Sequence, residues 1–220
     1  MRKKSKKLIS KADSIRDAIK KLPFFKIENL LAIDENKNNL RILLSRMKHR
    51  GEITTIKRGM YAHSDYLNEV KISRKKKDYD EFIACLAYQP SYLSLEYVLG
   101  ENGILSESVF NFTLATTAKT YKLTGKFGNF YYYHLKDELF NGYSVIKKHG
   151  YLIYKASVAK ALFDFLYLRK NILSSHDTVK ELRLNLGGLS KKDKDELKKY
   201  IKIEGSKKML KIYNYLESYA

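Results

Sequence analysis

The sequence predicts an α+β protein in two parts: an N-terminal winged helix-turn-helix, then a mixed α/β domain with a mostly antiparallel sheet and terminal helices. Two patterns and a charge asymmetry lead there. Apolar residues recur at helical spacing through the first fifty positions and run straight into a short hairpin pattern, while glycine-bounded, tyrosine-rich segments after residue 109 alternate like strands before helical periodicity returns. Residues 1–77 hold 22 Lys and Arg against 8 Asp and Glu, a net +14 of the chain's +19, whereas residues 78–220 hold 21 against 16. The expected domains are therefore 1–77 and 78–220, each long enough to bury a core at a hydrophobic content of 44%.

Residues 10–22 place Ile15, Ala18, Ile19 and Leu22 on one side, with Asp13, Arg16, Asp17 and Lys20 around the rest. This is a first amphipathic helix, ended by Pro23. Residues 26–31 read as a shorter helix with Ile27, Leu30 and Leu31 inward, and a polar turn at 34–36 opens a third. In that third helix Leu40, Leu43, Leu44 and Met47 form the apolar stripe, so Asn38, Arg41, Ser45 and His49 fall on the opposite face. Gly51 stops it. Residues 52–56 and 60–62 then read as two strands joined through Lys57, Arg58 and Gly59, a turn with two cations at a flexible tip. The signal weakens after Tyr61. The cationic run 71–77 reads either as a solvated linker or exposed helix start, or as a segment following a DNA backbone. Residues 2–7 read either as a solubilising tail or as an arm entering a minor groove.

In the second part, residues 81–87 and 94–99 look helical on either side of an extended Pro90-Ser91-Tyr92. Strands are expected over 109–115, 121–123, 129–135, 143–147 and 151–155, rich in tyrosine and β-branched residues, with Gly125, Gly128, Gly142 and Gly150 at turns. The order suggests a meander. Residues 157–169 return to helix, with Val158, Leu162, Phe165 and Leu166 inward and Lys160, Asp164 and Tyr167 on the remaining face, where Lys160 and Asp164 read as an exposed ion pair. Helices over 177–184, 191–202 with Ser190 as N-cap, and 206–218 complete the chain.

The residue types of the third helix and hairpin fit a nucleic-acid partner. Asn38, Asn39 and Arg41 are of the kinds that make paired hydrogen bonds to adenine and guanine edges, Lys37 and Ser45 suit phosphate or base contacts, and Lys57, Arg58 and Gly59 would grip the backbone. In a helix-turn-helix the later helix enters the major groove. An ordinary amphipathic surface helix followed by a hairpin is the plainer reading of the same pattern. Enzymatic signatures are sparse. Neither G-x-x-x-x-G-K-[ST] nor G-x-G-x-x-G occurs, the five histidines lie apart, and Cys85 is the single cysteine, so no cofactor, metal site or disulfide framework is expected. Asp137 and Glu138 invite comparison with nuclease carboxylates, but they sit at a polar turn. Tyr131, Tyr132 and Tyr133 would alternate faces and form no continuous stacking platform. The N-terminus lacks a signal peptide's apolar run, and no uncharged stretch approaches the roughly 18 residues of a membrane span, so a cytoplasmic protein is expected.

Three stretches together resemble the AbiEi-type antitoxins of type IV toxin–antitoxin systems, a family of bacterial abortive-infection regulators. These are RGEITTIKRGMYA at 50–62, PSYLSLEYVLGENGIL at 90–105, and GYSVIKKHGYLIYKASVAKALFDFLYL at 142–168. The resemblance spans about residues 10–170. It departs from the family where Val158-Ala159 stands in place of a proline-glutamate pair before the Ala161-Leu162-x-Asp164 segment, and the last fifty residues match only in being helical. The resemblance implies a repressor that binds inverted repeats in its own promoter, takes part in antiviral defence, and counteracts a nucleotidyltransferase-like toxin through its second domain. It offers no catalytic residues, so a non-enzymatic role is expected, and it supports Lys57, Arg58 and the third helix as DNA contacts. The alternatives are a nuclease-like enzyme built on Asp137 and Glu138, and a module that holds the toxin directly.

Overall fold

The computed structural model describes residues 10–107 and 109–218. The basic segment 2–7 lies outside them. The protein is α+β, and its chain divides into two compact units between Lys77 and Asp78.

The first unit opens with α1 (Lys11–Ile19), whose N-cap Ser10 accepts a hydrogen bond from the Asp13 amide at 3.2 Å. The helix stops a turn earlier than the apolar pattern suggests: Lys20 keeps helical backbone angles, the Leu22 amide then closes a tighter turn onto the Ile19 carbonyl at 3.2 Å, and Pro23 has no amide hydrogen with which to continue. The expected helix at 26–31 is instead a two-residue strand, β1 (Phe25–Lys26), and a 3₁₀ turn over Ile27–Leu30. Then comes α2 (Lys37–His49), started by Asn36, whose side chain accepts from the amides of Asn38 at 3.0 Å and Asn39 at 3.2 Å. Strands β2 (Ile53–Lys57) and β3 (Met60–His63) form the hairpin, and β1 pairs antiparallel with β3 to give the order β1-β3-β2. The core gathers Ile15, Ile19, Phe25, Leu30, Leu40, Leu44, Met47 and Ile53, one cluster fed by both helices and the sheet. A helix that the sequence hides, α3 (Ser64–Ile72), follows directly. His63 caps it, Nδ1 accepting from the Asp65 amide at 3.1 Å. The run 71–77 is thus the end of α3, a turn with Arg74 in left-handed geometry (φ 58°), and the start of α4 (Lys76–Ala87).

In the second unit α4 leads to β4 (Ser91–Leu93), α5 (Leu95–Glu101), β5 (Phe112–Thr116), β6 (Tyr121–Gly125), β7 (Gly128–His134), β8 (Tyr143–Lys148) and β9 (Tyr151–Ala156). Strand order is β6-β7-β5-β4-β9-β8, which corrects the expected meander. The pairs β5/β7 and β4/β9 are parallel; β4/β5, β6/β7 and β8/β9 are antiparallel. Burial explains the order. Each hairpin turns its more apolar strand toward the centre: β7 buries Phe130 and Tyr132 and β9 buries Tyr151, Ile153 and Ala156, while the mostly exposed β6 and β8 take the edges.

Successive residues point to opposite faces, so β4 and β7 serve two layers. From β7, Tyr132 donates to the Ala84 carbonyl of α4 at 2.7 Å. From β4, Tyr92 donates to Asp164 of α6 (Val158–Arg169) at 3.0 Å, which places α6 on the other face. Beyond α6 lie α7 (His176–Lys180), shorter than expected, then α8 (Lys191–Glu204) and α9 (Lys207–Glu217), capped by Ser190 and Ser206. Tyr200 of α8 packs on Phe163, and Glu196 accepts from Ser157 at 2.7 Å. Covered on both sides, α6 is buried from Ala159 to Leu166.

This overturns the exposed Lys160–Asp164 pair. Both side chains are 0% exposed, they are ion-paired, and Asp164 also accepts from Ser94 at 2.7 Å. Burial pushes the Asp164 carboxyl up and the Lys160 ammonium down, each opposed by the other's charge. Around Lys160 stand the rings of Tyr92, Phe163 and Tyr200. Gly142 has φ 72°, and a Cβ there would overlap the Tyr200 hydroxyl and the Lys160 side chain. A second cluster, centred on the buried Glu81, joins α4, α5 and β9: Lys155 contacts Glu81 at 2.8 Å and Glu101 at 2.9 Å, and Tyr97 donates to Glu81 at 2.7 Å.

Two outcomes are expected. Lys160→Met, which leaves a buried carboxylate without its counter-charge, lowers stability by about 3–5 kcal/mol, and adding Asp164→Asn costs less than the two single losses together; urea unfolding in a double-mutant cycle reads this, and simple additivity would refute the coupling. For His63, burial depresses the ring's pKa below 6.5, with Asp65 acting in the opposite direction. Above that value the ring is neutral both folded and unfolded. As pH falls below it the unfolded chain takes the proton first, so stability drops progressively. His63→Asn retains a capping oxygen and removes that loss, read by thermal unfolding between about pH 8 and pH 5; an unchanged acid slope would show that another group carries it.

Candidate nucleic-acid interface

The helix α2 contains no carboxylate, and its face turned away from the core is wholly exposed. At about 100° per residue, Asn38, Ile42, Ser45 and His49 run down the middle of that face, Lys37, Arg41 and Lys48 along one flank, Asn39 and Arg46 along the other. The stripe that positions them is the predicted one: Leu40, Leu44 and Met47 are buried and Leu43 is half-buried. Asn38 and Arg41 are joined, Nη1 donating to Oδ1 at 3.3 Å. Asn39 is separated from them by its place on the far flank. At the centre stands Ile42, 52% exposed, an apolar residue among polar ones.

The hairpin differs from expectation in one respect. Lys57 is the last residue of β2 rather than part of the turn, which consists of Arg58 and Gly59; Gly59 supplies the left-handed residue at φ 79°. A register shift between Thr55 and Lys57 sets Lys57 opposite Met60, and on the other side of β3 the same Met60 pairs with Lys26. Two lysines thus flank one strand beside Arg58. Lys57 is half-buried, and its pKa is lowered by burial and then by the charge of Lys26. A counter-anion set among these cations would reverse the repulsive part of that shift. Lys26 could not have been read from the sequence, since a two-residue strand has no periodicity; Arg46 could, from its place four residues after Ile42.

Several acids of the unit are engaged away from this face. Glu52 accepts from Arg16 at 3.1 Å and contacts Arg50 at 2.9 Å, fastening α1 and the end of α2 to the hairpin, while Asp13 pairs with Arg16 and Asp17 with Lys20. Lys37, Arg41, Arg46, Lys48, Lys26, Lys57 and Arg58 make no ion pair among the described residues. The arrangement is a row of hydrogen-bonding side chains on a rigid helix beside a cationic hairpin, able to meet an anionic surface over several points.

Asp137 and Glu138 lie exposed on a 3₁₀ turn, Glu138 near Lys136 at 3.6 Å. Among the described residues no group of three or more His, Cys, Asp or Glu side chains could hold a metal ion. Cys85 is buried and its thiol is pushed up to about 12 by burial. Tyr132 points to one face of the sheet and is fully buried, with Tyr131 and Tyr133 on the other. No described helix is long and apolar enough to cross a membrane. Comparison with protein-family models and with curated proteins gives no match.

Proposed function

We propose that this chain is a DNA-binding antitoxin of the AbiEi type, which represses its own operon by setting α2 into the major groove of promoter inverted repeats, with β2 and β3 as the wing of a winged helix-turn-helix. The observation that carries this reading is the carboxylate-free outward face of α2 beside the unpaired cations Lys26, Lys57 and Arg58. In this role Asn38 and Arg41 read base edges, Ile42 touches a thymine methyl, and Lys37, Arg46, Lys48 and the hairpin cations hold phosphates. Ser45 faces the same groove. Gly59 lets the tip approach the backbone closely. The protein then acts in the cytoplasm, without enzymatic activity of its own, and the second unit counteracts a nucleotidyltransferase-like toxin encoded beside it. Co-purification with the neighbouring gene product separates direct capture of that toxin from neutralisation without contact.

If five to seven of these cations release counterions, log K for the upstream promoter falls with log salt at a slope of about −5 to −6. Arg41→Ala weakens binding by about 1–3 kcal/mol and relaxes preference at one base step. Lys57→Ala weakens all sequences alike and flattens the salt slope by about one. Gel-shift titrations over a salt series measure all three. Promoter binding no tighter than binding to unrelated DNA, or both variants behaving as wild type, would overturn the assignment.

A further inference from the structure

The second unit carries an open cleft of about 950 Å³ on the α6 side of the sheet, independent of the proposed DNA contacts. Its floor is Tyr131 and Tyr133 of β7; Phe165 and Arg169 of α6 form one wall, and residues 105–107 and 109–111 with Arg183 form the rim. Several of its groups lack partners among the described residues. The phenols of Tyr131 and Tyr133, the amide nitrogen of Asn111 and the guanidinium of Arg183 make no hydrogen bond or ion pair, although Asn111 Oδ1 accepts from Asn129 at 3.0 Å. All four can donate. Ring faces are free as well: Phe110 is 87% exposed and Tyr133 has no ring partner, while the Arg169 guanidinium lies 3.8 Å above Phe165 and is held by Glu96. A ligand for this cleft is therefore planar, to lie against aromatic and guanidinium faces, and rich in acceptors along its edge.

Charge narrows the class. Two arginines face three carboxylates, Glu96, Glu107 and Glu181, so a polyphosphate is disfavoured and at most one phosphate can be met, at Arg183. We propose that the cleft binds a nucleobase, presented by a nucleoside, a nucleoside monophosphate or a single nucleotide of an unpaired strand. Stacking against tyrosine and phenylalanine with hydrogen bonds to the base edge is the general mode by which proteins hold unstacked bases.

The chain has no tryptophan and 18 tyrosines, so tyrosine fluorescence and calorimetry can follow titration of the full chain with adenosine, the four nucleoside monophosphates, ATP and single-stranded hexanucleotides. Saturable one-to-one binding of at least one nucleoside or monophosphate is expected, no tighter for ATP. Tyr133→Ala, Arg183→Ala and the surface change Phe110→Ala each weaken it by about tenfold, with unchanged melting temperature for Phe110→Ala. A hexanucleotide that binds tighter than its monomer and is weakened by the same variants identifies a strand as the source; equal or weaker binding identifies the free nucleotide. The proposal is overturned by absence of saturable binding, by equal binding of ribose 5-phosphate, by indifference to Phe110→Ala, or by loss of the signal in Arg41→Ala, which would place the site on the first unit.

Discussion

A lysine and an aspartate without access to water hold the second unit together. Lys160 and Asp164 lie one helical turn apart on α6, and the hydroxyls of Tyr92 and Ser94 complete the carboxylate's hydrogen bonds from β4. An unpaired ion at this depth would be several kcal/mol unfavourable, so α6 must keep the one rotation that turns both groups toward β4. The rest follows from that rotation. The apolar sides of α6 are left for α5 and α8, Tyr200 closes over the ammonium, and the chain entering β8 must pass close by at Gly142. Helix, sheet and outer helical layer are thereby indexed to one buried ion pair.

Much of the fold was legible because it rests on local chemistry. Ser10, Asn36, Ser157, Ser190 and Ser206 each stand at a helix start and each accept an amide hydrogen bond there, and the five later strands fall close to their predicted positions. What was missed depends on partners far away in sequence. The strand β1 exists only as a neighbour of β3. The helix α3 is announced by a histidine cap, a weak signal, and its single buried residue Val70 gives no stripe. Strand order required knowing which member of each hairpin is the more buried. In α6 a face with lysine and aspartate reads as exposed when one helix is considered alone, and is interior because it turns toward Tyr92 and Ser94 of β4 with Tyr200 of α8 beside the lysine.

The candidate interface was legible to a similar depth. Apolar spacing in α2 determines what faces inward, and the outward set follows by subtraction, so Asn38, Arg41 and Ser45 came together as expected. Asn39 diverged because consecutive helical residues do not share a face. Lys57 moved from turn to strand because the bulge after Thr55 shortens the loop to two residues. The cleft beside Tyr131 and Tyr133 was invisible, since its lining comes from β5, β7, α5, α6 and a loop beyond residue 180. Alternation had correctly denied the three tyrosines a common platform, yet it leaves two of them side by side on the α6 face.

The two units also treat their cations differently, and this bears on function more directly than net charge does. In the second, Lys155 meets Glu81 and Glu101, Arg169 meets Glu96, Lys170 meets Glu204 at 2.7 Å and Lys148 meets Asp78 at 3.6 Å, so many charges serve to join elements. In the first, Asp13, Asp17 and Glu52 pair with Arg16, Lys20 and Arg50 of the scaffold, and the cations of α2 and the hairpin are left without ion-pair partners among the described residues. Paired charges cancel within a few ångströms; unpaired ones on a single helix and its neighbouring turn add to a field reaching about a Debye length, near 8 Å at physiological salt. Structural use of charge would have distributed acids onto α2 as it does onto α8, whose KKDKDELKK run alternates signs. Their absence from α2 leaves an exposed surface that gains by meeting an anion, which is the physical content of assigning this face to a phosphate backbone.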